Sequence, residues 1–548
     1  MAVRGYELVA RALKREGVDT AFFLMGGPNL GTAKACVKAE IRMIDVRHEQ
    51  SAALMAQAYA RVQSRPGVCM AASGPGVMNL TTGLANALVD CAPVVALGGA
   101  SPVNQYGQGS FQELDQVAIM RPITKWAERV YDAKRIPEYI NQAFRRAMSG
   151  KPGPVYLDLP GDLLYEQVEE SDVEWPTPWH GSAILPPSAS SEAIERAVSI
   201  LLAAERPVVI SGSGVLYSRA ARDLHAFVDA AGVPFFTTPQ GRGVVPEDHP
   251  YFFPTARSTA SKEADVVLFV GTRLNYVVSR GRSPRFSASA RVIRIDIDFA
   301  EIATSDGIEL GIVGDAGQVL RQITEALHGK LEPSRFATWR ERLNGIEAGK
   351  RATQEAKLSS EAVPIHPLRL CKEIRDFIDR DAILVVDGQE ILNFGRQSLP
   401  SYVPGHRLNS GPFGMMGVGL PFGLGAKAAK PGAQVVVLHG DGSFGLNGME
   451  LDTAVRHDLP VLVVISLNGG WTGDPEEEKA GRYLGYTRFD EIARTLGCYG
   501  EYVEKPEEIR PALERASAKV MAGQTALVNV VTDWRATAQT ADFTPYKT

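Results

Sequence analysis

The most informative stretch of the chain is Gln434-Val435-Val436-Val437-Leu438-His439-Gly440-Asp441-Gly442-Ser443. Its apolar half predicts a buried strand over 434–438, and the glycines predict a turn that leads to a helix around 448–456. Glycines at such a turn let backbone N–H groups approach a phosphate, whose negative charge the start of a helix favours. The Asp441 carboxylate adds the hard oxygen ligand that Mg²⁺ prefers.

A second predicted strand, 461–467, ends at Leu467-Asn468-Gly469-Gly470-Trp471, and Asn468 follows Asp441 by 27 positions. Parallel strands bring their carboxyl ends to one edge of a sheet, so the Asp441 carboxylate and the Asn468 amide can share one cation there. A glycine–aspartate–glycine turn taken alone is also typical of ordinary strand-to-helix loops. The order of strand, turn, helix, strand and asparagine favours the cation site.

Apolar runs and helical patterns alternate along the rest of the chain, which predicts an α/β fold of three doubly wound parallel-sheet domains. With 548 residues the chain is too long for one core. We expect domains at 1–165, 190–330 and 363–535, linkers at 166–189 and 331–362, and a C-terminal tail or lid at 536–548. The predicted strands are 20–24, 41–46, 68–72, 94–97, 155–157, 206–210, 233–237, 265–270, 292–297, 382–386, 434–438, 461–467 and 526–531.

Composition excludes several classes of protein. The formal net charge of −5 gives no basic footprint for nucleic acid, and no apolar run approaches the roughly 18 residues of a membrane span. The N-terminus lacks the apolar segment of a signal peptide. The dispersed cysteines, without a C-x-x-C pair, favour a reducing cytoplasm and buried thiols over a disulfide framework. They are Cys36, Cys69, Cys91, Cys371 and Cys498.

Two further segments carry candidate functional residues. In Val46-Arg47-His48-Glu49-Gln50, a carboxylate follows a predicted strand and precedes a helix of small residues, where it can reach a buried ligand. A helix N-terminal charge or a salt bridge with Arg47 is the alternative. In Gly411-Pro412-Phe413-Gly414-Met415-Met416-Gly417-Val418-Gly419, the glycines predict a close backbone approach to a flat ligand. Plain core packing is the alternative for Met416.

Together these segments resemble the thiamine-diphosphate (ThDP) enzymes, in the group of acetolactate synthases, oxalyl-CoA decarboxylases and 2-hydroxyacyl-CoA lyases. The resemblance covers nearly the whole chain and implies a pyrimidine-binding, a central Rossmann-like and a diphosphate-binding domain. It implies ThDP and Mg²⁺ as cofactors, with the metal held by Asp441, Asn468 and the carbonyl of Gly470. Most relatives have a second, non-ligating asparagine where this chain has Leu467.

The same resemblance implies roles at the cofactor. Glu49 would hydrogen-bond the pyrimidine N1′ and favour the tautomer that deprotonates the thiazolium C2. The Gly414 carbonyl would accept from the 4′-amine, and Met416 would wedge between the two rings. Phe111 and Gln112 would lie at the substrate end as further catalytic residues. The remaining residues that the resemblance places at the cofactor are Ser73, Asn79, Gly388, Gln389, Glu390, Gly440, Gly442, Ser443 and Trp471.

The central block resembles the branch that handles CoA, which implies an adenine nucleotide there. Asp296 or Asp298 would meet its ribose. As bare sequence these positions are also ordinary loops of a doubly wound domain, so ADP, CoA or no ligand remain alternatives. The implied contact residues are Gly212, Arg257, Asp296, Ile297, Asp315 and Arg407.

The expected activity is cleavage of a 2-hydroxyacyl-CoA to formyl-CoA and an aldehyde or ketone. Oxalyl-CoA decarboxylases carry a tyrosine and an acid where this chain has Phe111 and Gln112, and Phe111 with Trp471 would line an apolar pocket. Oxalyl-CoA decarboxylase and an acetolactate synthase-like 2-keto acid enzyme remain alternatives. A dinucleotide oxidoreductase is disfavoured because no G-x-G-x-x-G with a following acid is present. The resemblance implies a homodimer or homotetramer, with the cofactor between the first block of one subunit and the third of another.

Overall fold

The computed structural model describes residues 2–181, 184–471 and 480–538. Three parallel sheets follow one another along the chain, each with helices on both faces, so the predicted fold class is confirmed. Most of the strands are buried along their whole length, as is typical of parallel sheets covered on both sides. The predicted C-terminal lid lies outside the described residues from 539 onward.

The N-terminal domain is built on a six-stranded sheet. Counted along the chain, its strands lie in the order 2-1-3-4-6-5, and all neighbours are parallel. In sheet order they are Arg42–Asp45, Thr20–Phe23, Gly67–Ala71, Val94–Ala100, Val155–Pro160 and Trp126–Arg129. The α-helices are Gly5–Arg15, Leu30–Lys38, Glu49–Gln63, Pro75–Val89, Gln116–Met120, Ile136–Met148 and Gly161–Tyr165.

The C-terminal domain repeats the strand order 2-1-3-4-6-5 in a second parallel sheet. In sheet order its strands are Arg407–Leu408, Ile383–Asp387, Val435–Gly440, Leu462–Leu467, Ala526–Val531 and Tyr499–Val503. Its α-helices are Pro367–Arg375, Glu390–Ser398, Gly419–Ala429, Asp441–Asn447, Glu450–Arg456, Phe489–Thr495 and Pro506–Met521. In such a sheet the order reverses between the first and third strands, and ligands bind in the crevice at their carboxyl ends.

The central domain has a five-stranded parallel sheet in the order 2-1-3-4-5. In sheet order its strands are Phe235–Thr237, Pro207–Ser211, Val266–Val270, Arg291–Asp296 and Leu310–Val313. Its α-helices are Ser191–Ala203, Ser213–Tyr217, Ala221–Ala231, Arg257–Glu263, Phe299–Ala303 and Ala316–Leu327. The charged segment between the second and third blocks is the helix Ala337–Leu358, which packs Trp339 and Leu343 into the central core and Leu358 into the C-terminal one.

Several predicted elements needed correction. The helix predicted at 448–456 is Glu450–Arg456, and a separate helix that the sequence patterns missed, Asp441–Asn447, begins at Asp441 itself. The strands that the sequence patterns missed are short or lie at sheet edges, where apolar runs are weak. They are Ala2–Arg4, Trp126–Arg129, Gln167–Glu169, Leu310–Val313, Arg407–Leu408 and Tyr499–Val503. Ala2–Arg4 pairs antiparallel with Gln167–Glu169, so the start of the predicted first linker is an ordered strand.

The N- and C-terminal domains share one hydrophobic core. The helix Glu49–Gln63 packs along the helix Gly419–Ala429, and a Cβ on Gly425 would lie 2.3 Å from the carbonyl oxygen of Met55. Only glycine permits this approach, which fixes the first block against the third within one chain. All five cysteines are buried and unpaired. In the described parts of the chain, none of the helices has the length and apolarity needed to cross a bilayer.

Candidate active site

Asp441 stands at the crevice of the C-terminal sheet. The strand Val435–Gly440 ends beside it, and its side chain is nearly buried. One carboxylate oxygen accepts from the backbone N–H of Gly442 and the other from that of Gly469, both at 2.8 Å. The side-chain amide of Asn468 ends 3.0 Å from the carbonyl oxygen of Gly470 and 3.2 and 3.3 Å from the two Asp441 oxygens. The structure thus brings together the three predicted metal ligands.

The chemistry of this set fits Mg²⁺. With the Asn468 amide oxygen turned inward, three oxygen ligands of different residues converge with no donor between them. With bonds of about 2.0–2.1 Å in an octahedral Mg²⁺ site, adjacent ligand oxygens are about 3 Å apart. The observed separations match that spacing. In the opposite orientation, the Asn468 amide nitrogen would donate to the same oxygens. The orientation of this amide therefore decides between a closed hydrogen-bonded cluster and a cation site.

Burial raises the pKa of Asp441 to about 6, against the lowering effect of the Gly442 and Gly469 N–H groups. Burial likewise raises the pKa of Asp387 to about 6, although Asp387 accepts from the N–H groups of Gly419 and Gly388. Both acids therefore sit where a negative charge is poorly solvated. A cation at Asp441 would stabilise the ionised form.

The opposite wall of the crevice is formed by Gly388, Gln389 and Glu390, which follow the strand Ile383–Asp387. Gly388 has a φ of +119°, and a Cβ there would lie 3.1 Å from the backbone nitrogen of Gly440. The two strand ends therefore approach closely enough to hold a small anion between them. Gly440, Gly442, Ser443 and Trp471 line the same pocket.

The sequence patterns predict no site role for Thr532 and Asp533, whereas Ala536 belongs to the predicted C-terminal tail or lid. Thr532, Asp533 and Ala536 line the pocket of Asp441, and the Glu390 carboxylate accepts from the backbone N–H of Ala538 at 2.9 Å. These residues follow the last strand of the sheet. The one sequence feature that could have indicated them is their position just after the predicted strand 526–531.

Glu49 begins the helix Glu49–Gln63 in the N-terminal domain and is 6% exposed. Its carboxylate accepts from the Asn79 side chain at 2.9 Å, so this predicted pair is in contact. Ser73 donates to the Gln112 side-chain oxygen at 2.7 Å. Gln112 has a φ of +59°, a left-handed conformation that favours glycine, so its backbone is held against its preference.

Within the described residues of one chain, neither Glu49 nor Gln112 lines the pocket of Asp441. Phe111 beside Gln112 is 84% exposed, and Leu446, at the end of the helix that begins at Asp441, is 53% exposed. Large apolar side chains thus face solvent on both predicted halves of the site.

Met416 lies between two cavities, the pocket of Asp441 and a much larger one. The larger cavity, of about 1810 Å³, runs between the three domains and is also lined by Gly414, which has open space around it. Four predicted nucleotide residues line it: Arg257, Asp296, Ile297 and Asp315. A volume above the usual range of about 300–1,000 Å³ can take a ligand larger than one nucleotide.

Two predicted nucleotide residues lie elsewhere. Arg407 is in an edge strand, 1% exposed, and donates to the carbonyl of Gly395 rather than lining the cavity. Gly212 packs against Gly271, whose carbonyl oxygen would lie 2.5 Å from a Cβ at 212. Its role is close packing of two strand ends. Asp315 caps the helix Ala316–Leu327 as well as lining the cavity, so part of its hydrogen-bonding capacity is already used.

Arginines collect at the cavity wall near the C-terminal domain. Arg257, Arg285 and Arg396 line it. Among the described residues they donate to backbone carbonyls or to a side-chain amide oxygen, and none of them pairs with a carboxylate. The pKa of Arg257 is lowered to about 9, mainly by burial and secondly by the positive charges of Arg285, Arg396 and Arg242. Burial also lowers the pKa of Arg285 and of Arg396. The Nε atoms of Arg257 and Arg396 are buried without a hydrogen-bond partner. Arg285 and Arg396 were not predicted as site residues.

Comparison with known proteins matches all three domains. Residues 3–119 match the N-terminal TPP-binding domain of thiamine pyrophosphate enzymes, 194–323 their central domain and 392–530 their C-terminal TPP-binding domain. The chain belongs to the thiamine pyrophosphate enzyme family. Thiamine pyrophosphate is thiamine diphosphate, so the two predicted cofactor-binding domains and the predicted family group are confirmed.

Relatives with three different names are similarly close to this ThDP enzyme. An acetolactate synthase large subunit of Mycobacterium tuberculosis is 36% identical over 96% of the chain and 95% of its own length. A 2-hydroxyacyl-CoA lyase of Arabidopsis thaliana is 34% identical over 97% and 96%, respectively. An oxalyl-CoA decarboxylase of Escherichia coli is 33% identical over 96% and 95%. Sequence identity therefore assigns the family. It does not decide which of the three kinds of substrate this enzyme uses.

Proposed function

We propose that this ThDP enzyme is a Mg²⁺-dependent carbon–carbon lyase that cleaves a 2-hydroxyacyl-CoA to formyl-CoA and an aldehyde or ketone, in a reversible reaction. The observation that carries the proposal is the cluster of Arg257, Arg285 and Arg396 in the large cavity. Three half-buried cations without carboxylate partners are costly unless a ligand supplies negative charge. CoA carries several phosphate charges, whereas pyruvate carries one carboxylate.

The shape of the cavity supports the same class of substrate. It passes from the arginines to Gly414 and Met416, so a long ligand could leave its phosphates at the arginines and reach the cofactor end with its thioester. In a dimer that pairs the two halves of the site, the exposed Phe111 of the other subunit would offer apolar surface at that end for the aldehyde or ketone portion. ADP or CoA in the central half of the cavity, beside Asp296 and Ile297, belongs to this proposal.

Residues of this chain would hold the cofactor and guide its chemistry. Asp441, Asn468 and the Gly470 carbonyl would bind Mg²⁺, and the N–H groups at the start of the helix Asp441–Asn447 would face the diphosphate. Glu49, oriented by Asn79, would hold or move a proton at the pyrimidine. When bound, ThDP supplies a nucleophilic carbon and then an electron sink. Ser73 and Gly74 would orient Gln112 toward the substrate hydroxyl.

A homodimer or homotetramer is part of the proposal. The Glu49 half and the Asp441 half are each open on one side and carry exposed apolar side chains, including Phe111 and Leu446. Two copies related by a twofold axis could pair the first domain of one subunit with the third domain of the other.

The test is a substrate panel at fixed ThDP and Mg²⁺. We expect formyl-CoA from a 2-hydroxyacyl-CoA, little product from oxalyl-CoA and no acetolactate from pyruvate. Acetolactate from pyruvate, with inert CoA esters, would reject the proposal in favour of the 2-keto acid alternative. Formyl-CoA from oxalyl-CoA alone would favour the decarboxylase.

The arginine cluster predicts a sharper outcome. Arg396→Met should raise the KM for the CoA thioester by about 10- to 100-fold, because each lost hydrogen bond to a charged group costs about 1.5–3 kcal/mol. The matching pantetheine thioester lacks the nucleotide phosphates, and its KM should not change. The exposed Arg222→Met is the control. Equal effects on both thioesters would show that Arg396 does not bind phosphate.

A further inference from the structure

A buried polar network lies beneath the turn at residues 73–76. Gln116 is 1% exposed, and its side-chain oxygen accepts from the backbone N–H of Gly74 at 2.6 Å. Its Nε2 donates to the Gly99 carbonyl at 3.0 Å, to the Tyr156 hydroxyl at 3.1 Å and to Asp158 at 2.6 Å. Both ends of this amide are therefore hydrogen-bonded, which fixes its orientation.

Asp158 connects the hydrogen bonds of Gln116 to Arg129 and to the neighbouring loop. Its carboxylate is fully buried, accepts from the Tyr156 hydroxyl at 2.5 Å and pairs with Arg129 at 2.8 Å. The Arg129 guanidinium lies over the Tyr106 ring, 4.3 Å from its centre. Tyr106 belongs to the loop 101–115, which also contains Phe111 and Gln112. The same carboxylate thus supports both the turn and the loop.

The turn at 73–76 contacts both predicted reactive groups of the N-terminal domain. Ser73 donates to Gln112, and a Cβ on Gly76 would lie 3.1 Å from a Glu49 carboxylate oxygen. Gly74 has a φ of +60°, and a Cβ there would lie 2.8 Å from that of Gln112. The left-handed backbone of Gln112 is therefore packed directly against a turn whose central N–H is held by Gln116.

We infer that Gln116, held by Asp158, is a positioning residue that places Glu49 and Gln112 relative to each other through the Gly74 N–H. Gln116 touches neither of the two reactive side chains in the hydrogen bonds described above, so it acts through the turn. A displacement of about 1 Å at a reacting group can cost about 100-fold in rate. The inference rests on the proposed use of ThDP at this site.

The test uses the full-length protein and two variants. Gln116→Met removes the acceptor and all donors at nearly constant volume. Tyr156→Phe is milder, because it removes one partner of Gln116 and leaves the others. Gln105→Met makes the same substitution at an exposed position of the neighbouring loop and serves as the control.

The first readout is amide hydrogen exchange in the cofactor-free protein, which depends on no assumption about activity. We expect exchange of the Gly74 N–H to be about tenfold faster or more in Gln116→Met, since its buried acceptor is gone. A smaller increase is expected in Tyr156→Phe, and no change in Gln105→Met.

The second readout separates positioning from general loss of structure. In Gln116→Met, kcat should fall by about 100-fold, while the KM for the CoA thioester and the ThDP affinity should stay near wild type. Exchange of the C2 proton of bound ThDP should slow in parallel. A fall in melting temperature with unchanged kcat and unchanged Gly74 exchange would overturn the inference. If wild-type protein exchanges no C2 proton, the proposed function fails, and the Gly74 exchange still decides the positioning role of the network.

Discussion

Asp441 has two roles in the C-terminal domain, one in the structure of its turn and one as a candidate metal ligand. Its two carboxylate oxygens accept from N–H groups at the ends of two adjacent strands, and the Asn468 amide faces the same oxygens. The side chain therefore organises the turn as well as offering a metal ligand. A substitution there should weaken cofactor binding, and its cost to folding should be partly offset by removing a buried acid.

The variant Asp441→Ala removes the carboxylate from the candidate metal site. We expect loss of Mg²⁺-dependent ThDP binding, measured by titration calorimetry with and without the metal, because the one carboxylate among the three ligands is lost. Circular dichroism should show a folded protein. Undiminished metal-dependent affinity would remove Asp441 from the metal site.

The helix Asp441–Asn447 contains two glycines, Gly442 and Gly445, in different surroundings. It starts where the strand ends, so its free N–H groups face the crevice. Gly442 in its first turn packs on the Trp471 ring, and a Cβ there would lie 2.9 Å from ring atoms. Gly445, one turn later, has no atom within 4 Å of such a Cβ. The helix thus contains two glycines with opposite expected responses.

Replacing each glycine by alanine tests this contrast. Gly442→Ala should displace Trp471 and weaken ThDP affinity about tenfold or more, since a displaced ring disturbs one wall of the pocket. Gly445→Ala should stabilise the protein by about 0.5–1 kcal/mol through helix propensity and leave affinity unchanged. Thermal unfolding and calorimetry on both variants provide the comparison. Equal affinities would show that the Trp471 contact does not shape the site.

At the scale of the whole molecule, two sheets of identical strand order each present a crevice at their carboxyl edge. The N-terminal sheet presents the turn at 73–76 beside Glu49, and the C-terminal sheet presents Asp441. The helix pair Glu49–Gln63 and Gly419–Ala429 fixes the two domains within one chain. Glu49 does not line the pocket of Asp441 in that arrangement.

Subunit complementation tests whether the two halves meet between chains. Glu49→Gln and Asp441→Ala should each be nearly inactive. After the two are unfolded and refolded together, the mixture should regain about a quarter of wild-type activity, because about half of the dimers are mixed and each mixed dimer has one of its two sites intact. No recovery, with mixed dimers demonstrated by tagged subunits, would place both residues of a site in one chain.

Most of the diphosphate half of the site could be predicted from sequence, because its chemistry lies at strand ends marked by apolar runs and glycines. Asp441, Asn468 and Gly470 converge as expected. The arginine cluster could not be predicted as a unit. Arg257, Arg285 and Arg396 come from two domains and stand in no common motif, whereas Arg407, which the resemblance implies as a nucleotide contact, is buried in an edge strand.

Local sequence was enough for the three parallel sheets, the family and the Asp441 turn, because buried strands, glycine turns and short-range spacing are properties of neighbouring residues. Only the folded chain showed that the cavity joins three domains, that its cluster of Arg257, Arg285 and Arg396 lacks partners among the described carboxylates, and that Gln116 reaches under the turn at 73–76. The physical reason is that charge compensation and buried hydrogen bonding depend on which distant groups meet. Those contacts are set by domain packing, which leaves no periodicity in the sequence.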